Sequence, residues 1–125
     1  MGAPINVQMF DMRGIASSGL KPALTIKLYV SSITVAELIE ERVQHEINKG
    51  EDSLSFIPHP DEVVLNGIRK SPKIGAAIEY AKKSFKAGEY FLFVNDIQVE
   101  SLDEKIILTE DTTVKFIQLI PLVGG

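Results

Sequence analysis

The chain has 125 residues, 45% of them hydrophobic and 24% charged, with a formal net charge of −4. That is the size and balance of one globular domain able to bury its own core, and it speaks against a dedicated nucleic-acid binder. Cysteine is absent, which excludes a disulfide framework, a thiolate metal site and a cysteine nucleophile. No apolar run approaches the ~20 residues a membrane-spanning helix needs. Met1-Gly2-Ala3-Pro4 also lacks the charged and apolar regions of a signal peptide. The expected setting is cytoplasmic, with no membrane and no nucleic acid as partner.

In chain order, Ile5, Val7 and Met9 alternate with Asn6 and Gln8, the period of a half-buried strand. Residues 13–22 contain Gly14, Gly19 and Pro22 and read as a loop. A second alternation, Leu24, Ile26, Leu28 and Val30 against Thr25, Lys27 and Tyr29, predicts a strand returning along the first. Thr34 followed by Glu37 is a capping box, with Ile33 and Leu38 placed as a hydrophobic staple. Val35, Leu38, Ile39, Val43 and Ile47 then form a helical stripe that Gly50 would close.

Residues 51–70 contain Pro58, Pro60 and Asn66-Gly67 and predict an irregular, mobile insertion. Ser71-Pro72 is a helix start, and Ile74, Ala77, Ile78, Ala81 and Phe85 give a second stripe. Lys82, Lys83 and Lys86 sit where cations favour the helix C-terminus, before Gly88. Tyr90 to Val94 reads as a strand, Asn95-Asp96 as a turn and Ile97 to Val99 as its return strand. After a turn at Glu110-Asp111, residues 113–120 read as a long strand, apolar on both faces and therefore central.

The order strand, strand, helix, strands, with a long last strand, resembles the ubiquitin-like β-grasp family. Two stretches carry the resemblance. Ile33-Thr34-Val35-Ala36-Glu37-Leu38 is similar to the opening of the main helix in prokaryotic sulfur carriers. Phe93-Val94-Asn95, Leu108 to Asp111, Val114-Lys115-Phe116-Ile117 and Pro121-Leu122-Val123-Gly124-Gly125 follow the order found in the molybdopterin-synthase small subunit and the thiamine sulfur carrier. The insertion and second helix, about residues 51–88, exceed those minimal carriers and look more like the bacterial ubiquitin-like modifiers of antiviral conjugation systems. The tail has Leu122 fourth from the end, as ubiquitin does, without ubiquitin's arginines.

The resemblance implies an α+β domain over residues 1–125: a mixed sheet, one main helix, an inserted segment with a second helix, and a flexible tail at 121–125. It implies a protein that is not itself an enzyme. Gly125, with Gly124, would be adenylated by an activating enzyme that uses ATP and magnesium, no cofactor being held by the chain itself. Glycine suits a tail threaded between backbone walls, because it has no Cβ and tolerates positive φ. Pro121, Leu122 and Val123 would be read as the tail enters. The expected outcome is amide conjugation to target amines, with a conjugating enzyme, a deconjugating protease and target proteins as partners. Two alternatives share every feature of the tail: a sulfur carrier ending in a thiocarboxylate, and a phage tail-assembly or interaction-only domain.

Tyr29, Ile117 and Leu119 are the candidates for a partner-binding face, on the open side of the sheet. Oligomeric state is left open. No metal site is expected: His45 and His59 have no ligand spacing, and Glu40-Glu41 and Asp61-Glu62 read as solvated pairs. The basic run Asn66 to Lys70 lacks the ending of a phosphate loop.

Overall fold

The computed structural model describes residues 4–13, 24–48 and 74–118. Among them lie strands β1 (Ile5–Arg13), β2 (Leu24–Leu28) and β3 (Ser32–Thr34), helices α1 (Val35–Asn48) and α2 (Ile74–Lys86), and strands β4 (Tyr90–Val94), β5 (Ile97–Val99), β6 (Lys105–Ile107) and β7 (Thr113–Gln118). The architecture is α+β with a mixed five-stranded sheet in the order β2-β1-β7-β4-β5 and a separate two-stranded ribbon of β3 and β6.

β1 and β2 are antiparallel, with Ile5 opposite Leu28 and Met9 opposite Leu24. β7 lies between β1 and β4, parallel to the first and antiparallel to the second. β7 is the middle strand, as the sequence predicts, with Val114 and Phe116 buried on one face and Lys115 and Ile117 only partly buried on the other. The inner face carries Val7, Met9, Leu92, Val114 and Phe116, all buried beneath the helices. β1 runs four residues beyond its clear alternation, to Arg13, where the sequence reads as the start of a loop. Its register with β7, from Gln8 opposite Thr113 to Arg13 opposite Gln118, explains the extension.

α1 begins at the capping box. The Glu37 amide donates to Thr34 Oγ1 at 3.1 Å, and the Thr34 amide donates to Glu37 Oε1 at 3.0 Å. Those bonds, the Thr34 amide first and its hydroxyl second, hold the Glu37 carboxyl below its ordinary value of 4.5. A lowered native pKa means the contribution is fully present above pH 4.5 and is lost as pH falls through the native value. Thr34→Ala should cost about 1 kcal/mol at neutral pH in a urea titration. Glu37→Gln should flatten the acid dependence in that window, and an unchanged dependence would assign it to other carboxylates.

α2 ends in a Schellman motif: Glu89 N–H donates to Ser84 O at 3.0 Å and Gly88 N–H to Phe85 O at 3.1 Å, with Gly88 at φ 76°. Ala77, Ala81 and Phe85 are buried in the same core as the α1 stripe. The buried Tyr90 hydroxyl donates to Ala81 O at 2.7 Å, tying α2 to β4, and burial pushes the phenol's pKa well up. α2 is thus part of the core. Asn95 and Asp96 both have positive φ, 51° and 67°, as a two-residue type I′ hairpin requires, and Val94 faces Ile97 across it.

The ribbon of β3 and β6 has no counterpart in the sequence reading. Ile33 and Ile106 face each other in register, both buried, and Val35 N–H donates to Glu104 O at 2.9 Å at the helix entrance. The insertion at residues 51–70, the cap at Ser71-Pro72, Gly50 and the tail at 121–125 lie outside the described residues.

Candidate functional site

Gly124, Gly125, Pro121, Leu122, Val123 and Leu119 also lie outside the described residues. What the structure places is the strand from which that tail issues. β7 is the middle strand, and its last described residue, Gln118, is in register with Arg13 of β1 and Tyr90 of β4. The strand feeding the tail is therefore held by main-chain bonds on both sides.

The open face of the sheet near this end carries a depression of about 400 Å³ lined by Met12, Phe91, Phe93, Ile117, Gln98, Asp96 and Lys115. Register explains its composition: Ile117 lies between Met12 and Phe91, and Lys115 between Phe10 and Phe93. Lys115 Nζ donates to Asp96 Oδ1 at 2.6 Å, giving an apolar floor with one ion pair on its rim. A concave, mostly apolar surface of this kind accepts an apolar side chain of another molecule.

Ile117 thus shares its face with Met12 and Phe91, and Tyr29 is not beside it. Tyr29 follows β2 next to the Ile5 end of β1, whereas Ile117 faces Met12 near the other end. Along a strand that separation is roughly 20–25 Å. Met12, Phe91 and Phe93 stand in its place. Their signal in the sequence is the unbroken apolar run Tyr90 to Val94, whose alternate residues must face away from the core.

Below the sheet at the same end the core turns polar. Arg42 is fully buried, donates to Asp11 Oδ2 at 2.6 Å, lies 3.5 Å from the Glu46 carboxylate and sits 4.6 Å over the Phe116 ring. Positions 35, 38, 39, 42, 43 and 46 form one buried stripe of α1, so Arg42 and Glu46 are charges at core positions. Asp11 likewise follows Val7 and Met9 on the inner face of β1. A charge where periodicity calls for an apolar residue is the signal that could have found this cluster.

The remaining candidates stay apart. His45 lines a groove with Thr25 and Lys27 between α1 and β2, while His59, Asp61-Glu62 and residues 66–70 lie outside the described residues. Glu40 accepts from Lys82 at 2.7 Å, joining the two helices. Among the described residues no group of three or more potential metal ligands occurs, and no helix is long and apolar enough to cross a membrane.

No family model matches the chain, and neither a curated protein nor a solved structure does.

Proposed function

We propose that this chain is a ubiquitin-like modifier of β-grasp fold, whose C-terminal Gly124-Gly125 is adenylated by an activating enzyme and joined to target amines. One observation carries the reading: the central strand, parallel to the first strand and roofed by the capped helix, is the strand that continues towards Pro121-Leu122-Val123-Gly124-Gly125. A sheet ordered β2-β1-β7-β4-β5 with a helix across one face is what the β-grasp resemblance leads one to expect.

In this reading a Gly125 carboxylate oxygen attacks the α-phosphorus of ATP and pyrophosphate leaves, giving an acyl adenylate. A thiolate or amine then attacks the acyl carbon and AMP departs. The groups that drive these steps belong to the activating and conjugating partners, with ATP and magnesium bound by the former. A cytoplasmic conjugation system of the bacterial antiviral type is the proposed setting. The depression beside Ile117 offers a docking surface next to the strand that feeds the tail.

The test is to incubate the full chain with its cognate activating enzyme, ATP and magnesium, and to follow pyrophosphate release and intact mass. Wild type should form the adenylate or thioester. Deleting Gly125, or Gly124→Phe, should abolish turnover while the circular dichroism spectrum is unchanged. An amide-linked adduct through Gly125 supports the modifier, and exchange of one carboxylate oxygen for sulfur identifies a sulfur carrier instead. Full biological activity of the Gly125-deleted chain would leave an assembly or interaction role.

A further inference from the structure

One edge of the β3–β6 ribbon has no strand beside it among the described residues. In an antiparallel pair, main-chain groups point alternately towards and away from the partner strand. Leu108 N–H donates to Ser31 O at 2.9 Å and Val35 N–H to Glu104 O at 2.9 Å, so residues 104, 106 and 108 face β3. The main-chain N–H and C=O of Lys105 and Ile107 therefore point the other way, where the ribbon has no further strand among the described residues. Ile107 is also one of the most exposed large apolar residues, at 67%, and Val30, diagonally across the ribbon, is 49% exposed. A strand edge that no described strand covers, carrying an exposed isoleucine, is a template for strand addition.

The geometry points to a second copy of this chain as the occupant, with β6 pairing antiparallel to β6 of its partner about a twofold axis at Ile107. A twofold-related pair of strands is necessarily antiparallel and repeats every contact in reverse. In this register Ile107 meets its own equivalent, and the outward N–H and C=O of the two Ile107 residues satisfy one another, while the Thr109 N–H and C=O stay bonded to Thr112 within their own turn. Lys105 falls opposite Thr109 of the other copy, beside that copy's Glu110 and Asp111, and the same contact recurs across the axis. Lys105, Glu110 and Asp111 are all exposed. A lone edge lysine normally discourages strand pairing, but here it is matched to carboxylates, which favours self-association over an arbitrary strand.

The contact is small. A three-residue strand with its flanks buries less than the ~1,200 Å² of a stable interface, so the dimer exchanges rapidly and forms only at high concentration. It lies at the α1 entrance, away from the end at which β7 feeds the tail, and does not rest on the function proposed above.

The test is sedimentation velocity of the full chain from micromolar to millimolar concentration. Wild type should show a weight-average sedimentation coefficient rising towards that of a dimer. Ile107→Lys should stay monomeric throughout, with an unchanged melting temperature because the side chain is exposed. Lys105→Glu and the double variant Glu110→Lys/Asp111→Lys should each associate less than wild type. Mixed one to one, they should recover association, since both contacts across the axis then pair opposite charges. In amide exchange, Ile107 should become protected as concentration rises. A wild-type chain monomeric at millimolar concentration, association that Ile107→Lys leaves intact, or no recovery on mixing would overturn the proposal.

Discussion

Arg42→Ala should lower the free energy of unfolding by about 3–5 kcal/mol, the usual cost of removing one partner from a buried ionic cluster. Wild-type Arg42 has no exposed surface and Glu46 only 5%, while Asp11 is half-buried. Truncation takes the guanidinium away from the Asp11 and Glu46 carboxylates and from the Phe116 face, and opens a void the size of the side chain. Against a total stability of ~5–15 kcal/mol for a domain, that loss is large. The measurement is urea unfolding followed by far-ultraviolet circular dichroism, with the midpoint falling and the slope constant.

Arg42→Met combined with Asp11→Leu and Glu46→Leu should recover most of this loss, because an apolar replacement of a whole buried cluster is often neutral or better. A loss below about 1 kcal/mol for Arg42→Ala would mean that water solvates the two carboxylates once the guanidinium is gone.

Phe116→Ala should cost a comparable ~3–5 kcal/mol, from lost transfer free energy and the cavity left behind. Phe116 is fully buried on the middle strand. Its ring stacks on Tyr90 at a centroid distance of 6.2 Å and lies beneath Arg42 at 4.6 Å. Little around it can collapse into the space, since β7 is fixed by main-chain pairing on both sides. Phe116→Leu should keep part of the stability by filling part of the volume. Because Phe116 and Arg42 touch, their double mutant should lose less than the sum of the singles, and strict additivity would show that the cation over the ring contributes nothing. Thermal unfolding monitored by calorimetry gives the comparison directly.

Much of the local structure was legible because local interactions decide it. Thr34 and Glu37 are three residues apart and bond within one helical turn. Asn95-Asp96 adopts the positive φ values that asparagine and aspartate tolerate, so the hairpin from β4 to β5 was readable as well. Apolar residues on both faces, Val114 and Phe116 on one and Ile117 on the other, marked β7 as central, and it is the middle strand although the Ile117 face is open.

What the sequence left unread depends on contacts between distant segments. β3 and β6 are three residues each, too short for a period to show, and they exist because the chain entering α1 meets residues about 70 positions later in register. β1 extends past its alternation because β7 offers a parallel partner as far as Gln118.

Of the candidate site, the sequence by itself determined the terminal glycine pair and the apolar character of Ile117. Only the tertiary structure set Met12, Phe91 and Phe93 around Ile117 and sent Tyr29 to the other end of the sheet. The physical reason is that alternation fixes which face a side chain takes but says nothing of its position along that face. That position comes from strand register, which is set where the strands meet.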